Sequence, residues 1–113
     1  MQITVKRVYD TAEKNDGFRI LVDRLWPRGV SKEEAKIDRW LKEIAPSSEL
    51  RSWFHTNKDQ RFEVFSKKYR QELSELPLNA LAELKDKDIV TLVTAVKDVE
   101  QSHIPTLKAF LEK

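Results

Sequence analysis

The chain has no cysteine in its 113 residues, and only two glycines. Without cysteine there is no disulfide, no thiolate metal site and no thiol nucleophile, which fits a reducing, cytoplasmic compartment. With glycine so scarce there is no Gly-rich loop to cradle a phosphate and no flexible low-complexity linker. Long hydrophobic runs are missing too. The longest apolar-rich stretch, Ile89 to Val96, falls far short of the roughly 20 residues a membrane-spanning helix needs. The opening residues QITVKRVYD read as a charged strand rather than a secretory signal. Only two histidines occur, His55 and His103, too far apart in sequence to form a metal signature, and no cofactor motif is present. Charge of one sign is also lacking. A net charge of +2 weighs against a nucleic-acid-binding domain, which is usually more basic.

What is present fits one ordered domain over residues 1–113, with 40% hydrophobic and 35% charged residues. The arginines are skewed: Arg7, Arg19, Arg24, Arg28, Arg39 and Arg51 lie in the first half, and only Arg61 and Arg70 follow. Residues 2–8 and 18–23 read as strands, and the Asp16-Gly17 pair between them as a turn. The intervening residues permit either an antiparallel pairing or a short crossover. Ser31 and Glu34 form a capping box before a helix predicted over 32–44, although 37–44 also fits an extended segment. A short helix carries Leu50, Trp53 and Phe54 after a Ser47 or Ser48 cap. A long one spans about 58–75, with Phe62, Phe65, Tyr69, Leu73 and Leu76 on one face. Leu78, Leu81 and Leu84 mark another short helix. The β-branched run Ile89–Val96 is the best central strand. Ser102 is the expected cap of a last helix bearing Ile104, Leu107, Phe110 and Leu111. The fold class is α/β: a single small domain with a short, mostly parallel sheet of about three strands, packed with four or five helices.

Two segments could carry chemistry. In Asp23-Arg24-Leu25-Trp26-Pro27-Arg28-Gly29 a hydrophobic strand runs directly into an acid, two arginines and a tryptophan. Ligands of open α/β sheets bind beyond the carboxyl ends of strands, and paired arginines suit a phosphate or carboxylate. A structural corner built on an Asp23–arginine ion pair, with Trp26 closing the core, explains the same residues about as well. The second segment, Lys97-Asp98-Val99-Glu100-Gln101-Ser102-His103, also follows a strand and leads into a helix N-terminus, where anions are favoured. There His103 would lie in the first turn, a neutral imidazole able to accept or donate a proton near neutral pH. A capped loop with a solvated histidine is the plainer account. Arg51-Ser52-Trp53-Phe54-His55 reads as a helix packing two aromatics, and Lys67, Lys68 and Arg70 as a solvated face.

The string GFRILVDRLWPRGVSKEEAKIDRWLKEIAPSSELRSWF, followed by FxxFxxxYRxEL and TLVTAVKDVEQSHIPTLKAFL, resembles the YeaO-like group of bacterial and archaeal proteins. That group lies within the domain-of-unknown-function family numbered 488. The resemblance covers almost the whole chain. It implies an α/β fold whose polar post-strand loops meet at one site, and it implies no established activity. Larger relatives carry a cysteine after the last strand and a Cys-His-Arg segment before the last helix. Lys97, Asp98 and His103 match that pattern. Thr94 and Ser102 stand where the cysteines would be, and Ile104 where the arginine would be, so thiol chemistry does not carry over.

These readings converge on a small anionic ligand, phosphorylated or carboxylated, held by Arg24, Trp26, Arg28, Lys97, Asp98 and Ser102. Asp23 and His103 are the candidates for any acid–base role. A nucleic-acid- or protein-binding module using the tryptophans and the basic helix is the alternative.

Overall fold

Side chains alternate along each β-rich segment, so each strand needs cover on both faces. The computed structural model describes residues 1–77 and 79–113. Its strands are β1 (Gln2–Arg7), β2 (Phe18–Leu21), β3 (Arg39–Trp40) and β4 (Ile89–Thr94). They form one sheet in the order β1-β4-β2-β3, and every adjacent pair is parallel. β4, the most continuously apolar of the four, lies inside, with Val90, Thr91, Leu92, Val93 and Thr94 all buried. The first two strands do not pair with each other. β4 inserts between them, and both run parallel to it.

On one face Ile3, Ile20, Val22, Val90 and Leu92 pack against three helices: α2 (Ser48–His55), α3 (Lys58–Ser74) and α4 (Ile104–Leu111). Leu50, Phe54, Phe65, Tyr69, Leu73, Ile104 and Leu107 fill that layer. On the other face Val8 and Val93 meet Ala35 of the one-turn helix α1 (Lys32–Ala35), with Trp26, Val30 and Ile37 around them. The rest of this face is polar. The Arg19 guanidinium is buried and bonds the Asp16 carboxylate at 2.7 Å and the carbonyls of Ala35 and Lys36. Thr91 donates to the Asp16 carbonyl and pairs with Thr4. A buried charge is tolerable when it is paired and hydrogen-bonded in this way.

The helix expected over 32–44 stops at Ala35, and about three strands become four. Lys36 adopts a left-handed conformation (φ 49°) that ends the helix. Asp38 then exchanges bonds with β2: its amide donates to the Arg19 carbonyl, and its carboxylate accepts from the Arg19 amide at 2.8 Å. Arg39 and Trp40 continue that pairing as β3, and Lys42–Ile44 closes in a 3-10 turn. The spacing of Ile37, Trp40, Leu41 and Ile44 mimics a helical stripe, but pairing with β2 satisfies the backbone instead. Leu84 ends a 3-10 turn, Ala82–Leu84, rather than an α-helix, and Leu78 lies outside the described residues. At the last helix, His103 rather than Ser102 is the N-cap residue. Ser102 still assists one position earlier, its Oγ accepting from the Ile104 amide at 3.1 Å.

Connections leave the neighbouring carboxyl ends of β2 and β4 in opposite directions. The chain after β2 goes to α1, in the smaller cluster, and the chain after β4 goes to α4, in the larger one. Such a divergence opens a crevice at the ends of the two strands.

Candidate functional site

A cavity of about 480 Å³ occupies that crevice. Its size suits a small metabolite. Asp23, Arg24, Trp26, Arg28, Lys97, Asp98, Ser102 and His103 all line it, so the post-β2 and post-β4 loops share one site. The helical layer supplies another part of the lining, with Phe54 and Phe65 as its apolar surface and Arg51, His55 and Lys58 from the same helices.

At the floor of the site, hydrogen bonding fixes the acid and the histidine. Asp23 accepts from the Thr94 hydroxyl at 2.7 Å and from the Ala95 amide at 2.8 Å, tying the end of β2 to the end of β4. His103 Nε2 lies 3.0 Å from the Val22 carbonyl and 3.4 Å from Asp23 Oδ1. Burial alone would raise the Asp23 carboxyl, but hydrogen bonds from His103, the Ala95 amide and Thr94 outweigh it and hold it below the ordinary range. No Asp23–arginine pair forms among the described residues. Arg24 is held by Pro46 and Ala45 instead, through Nε and Nη2 to their carbonyls. Trp26 donates from its indole to the Val30 carbonyl and meets Trp40 edge-on, so it closes the smaller cluster while lining the cavity. Asp98 caps the following 3-10 turn by accepting from the Gln101 amide.

Four cations contrast with these anchored groups. Arg28, Arg51, Lys58 and Lys97 are exposed, and their side chains make no ion pair or hydrogen bond among the described residues. Their field registers on His55, whose pKa is lowered by partial burial and then by the Lys58 and Arg51 charges. The N-terminal ends of α3 and α4 also border the cavity, through Lys58 and His103, and add positive potential. Among the described residues no group of three or more His, Asp or Glu could hold a metal ion.

A family model described as the inactive DUF488-N3 subclade matches residues 2–113. The chain belongs to that subclade. It is 44% identical over 113 residues to the uncharacterised protein YeaO of Escherichia coli K12, covering 98% of this chain and 97% of that one. It is 40% identical over 111 residues to the uncharacterised protein Rv3073c of Mycobacterium tuberculosis H37Rv, covering 97% and 93%. No solved structure matches. Two hydroxyls at the carboxyl end of β4 and before α4 are fully engaged within the fold. Thr94 Oγ1 donates to Asp23 and accepts from the Val96 amide. Ser102 Oγ donates to the Val99 carbonyl and accepts from the Ile104 amide. Thr94 is thus committed to a carboxylate and an amide, and Ser102 to two backbone groups.

Sequence reasoning missed Lys58 as a site residue, and it read Arg51 and His55 only as part of a packing helix. The available signal was the placing of His55 and Lys58 on either side of the short α2–α3 junction, with Arg51 about one turn earlier on α2. Only the packing of Phe54 and Phe65, stacked with centroids 4.1 Å apart, turns that junction toward the strand ends. The same geometry bears on one of the tryptophans named for the binding-module alternative. Trp53 is already covered by Arg61 and Lys68, at 4.6 and 4.4 Å from its ring centroid.

Proposed function

We propose that this chain binds a small phosphorylated or carboxylated anion in the β2–β4 crevice, without a covalent nucleophile. One observation carries this reading: four uncommitted cations, from two loops and two helices, line one cavity, while its floor acid, Asp23, is already satisfied internally. Arg28 and Arg51 would clamp anionic oxygens, Lys58 and Lys97 would supply further charge, and Phe54 and Phe65 would contact the apolar part of the ligand. Arg24 has a supporting place, holding the Ala45–Pro46 wall. Asp23 and His103 set the polar floor.

The test is thermal melting with sulfate, inorganic phosphate, pyrophosphate and citrate. At least one of these anions raises the melting temperature of the wild type. Arg28→Ala, at an exposed side chain, keeps its own stability within about 1 kcal/mol. It loses roughly 1.5–3 kcal/mol of binding, the worth of a charge-assisted contact. Arg28→Lys recovers part of the shift, because it keeps the charge but not the planar fork. A large drop in the melting temperature of ligand-free Arg28→Ala would make the residue structural. Silence of the wild type to all four anions would overturn the site.

A further inference from the structure

The protonation geometry of His103 adds a property to this site. The ring is buried, with 7% of the residue exposed, and touches two groups through Nε2: the Val22 carbonyl at 3.0 Å and Asp23 Oδ1 at 3.4 Å. Both are acceptors only, since Asp23 is ionised at neutral pH and a carbonyl never donates. Nε2 therefore carries the hydrogen. Nδ1 makes no hydrogen bond among the described residues, where no fully buried side-chain nitrogen or oxygen lacks a partner. Nδ1 is thus not sealed in, and the residue lines the cavity. The neutral ring offers its lone pair to the crevice, which suits no anion. A proton added at Nδ1 converts that acceptor into a charged donor, with Asp23 behind the ring to balance it.

We infer that anion binding in the crevice takes up one proton from solvent onto His103 Nδ1, so that affinity falls as pH rises. This rests on the anion-site reading above and deepens it. The balance is simple: free protein with neutral His103, one proton and the anion give a complex in which Nδ1–H donates to an anion oxygen. No other bond changes. Several groups bear on the ring. Asp23 lies behind it, and Tyr69 of α3 meets it edge-on at 6.0 Å, with its phenol pushed far above the ordinary value by burial and so neutral throughout. Lys97 and Asp98 stand on the post-β4 loop, and Arg51, His55 and Lys58 on α2 and α3. Of these, only His55 is also an imidazole, so it is the one competitor for the proton.

Sulfate is the probe, because it does not itself titrate between about pH 5 and 9. In the wild type, nitrogen-15 spectra of the two histidines should show His103 as the Nε2–H tautomer at pH 8. Added sulfate should turn it into imidazolium at a pH where the free ring is neutral. Calorimetry in Tris and in PIPES should give proton uptake approaching one per sulfate. The Kd should rise up to about tenfold per pH unit above the midpoint of the ring. Uptake should survive in His55→Gln and vanish in His103→Gln. If sulfate binds while the His103 resonances stay neutral, or if His55→Gln abolishes the uptake, the linkage is wrong and the anion site stands. If neither sulfate nor any of the other three anions shifts a resonance around the crevice, both fail. The wild-type spectra decide this even if His103→Gln does not fold.

Discussion

Thr94 shows how one buried hydroxyl can fasten the end of a strand. Its hydroxyl bridges the Asp23 carboxylate and the Val96 amide where the chain leaves the sheet, entirely out of solvent. Thr94→Val keeps the shape and removes both bonds, so it should cost about 1–3 kcal/mol, measured by urea unfolding. A variant as stable as wild type would mean that water replaces the hydroxyl. Asp23 predicts an acid limb. Its folded-state pKa lies below the unfolded value, so its contribution is fully present above about pH 4. That contribution is lost as pH falls through the folded value. Asp16 acts in the same sense: burial opposes its ionisation, but Lys6, the Glu13 amide and Arg19 outweigh it. Melting temperature should therefore drop below pH 4, and the drop should be shallower, though not absent, in Asp23→Asn. An unchanged acid limb in that variant would remove Asp23 from the account.

Among the elements, β2 is held in register from both ends. At its start Gly17 has φ 67°, and a Cβ there would collide with the Ile89 carbonyl as β4 begins. Gly17→Ala should therefore destabilise by about 1–3 kcal/mol, combining backbone strain with that clash. Chemical denaturation reads this directly, and a neutral result would show that the start of β4 can give way. Tyr69 of α3 does comparable work between layers, its hydroxyl donating to the Ile44 carbonyl at 2.6 Å in a fully buried setting. This bond fastens the segment leading to the Ala45–Pro46 wall of the cavity. Helix α1 is the opposite case. Its capping box is complete, yet it lasts one turn because Asp38 and Leu41 find better partners on β2.

For the whole molecule, the parallel order β1-β4-β2-β3 makes the last strand the first two strands' common neighbour. Contacts such as Thr4–Thr91 span most of the chain, so folding must close long loops before the sheet is rewarded. Truncation after Asp88 should consequently leave no folded core, seen as collapsed amide dispersion in proton–nitrogen spectra. Retention of native-like dispersion would mean that the helices and β1–β2 cohere without β4. In the intact protein, β4 amides should be the slowest of the sheet to exchange with deuterium and the two-residue edge strand β3 the fastest.

Local pattern alone determined much of this. The β-branched run at Ile89 marked the central strand, the 3.6-residue stripe from Phe62 to Leu73 marked α3, and the turn chemistry at Asp16-Gly17 marked the start of β2. Each of these signals is carried by neighbours in sequence, through side-chain periodicity or backbone preference. The polar loops at Asp23–Arg28 and Lys97–His103 were legible for the same reason, because charge abruptly follows an apolar strand. Tertiary structure decided what these signals could not hold. It placed β4 between β1 and β2, turned 39–40 into a strand, and assigned Arg24 to backbone carbonyls while leaving Arg28 uncommitted. It also brought Arg51 and Lys58 to the same crevice. The physical reason is common to all four. Each depends on which distant backbone or side chain a group meets, and hydrogen-bond satisfaction across a parallel sheet, like the packing of Phe54 on Phe65, is a property of the assembled chain, not of any window of its sequence.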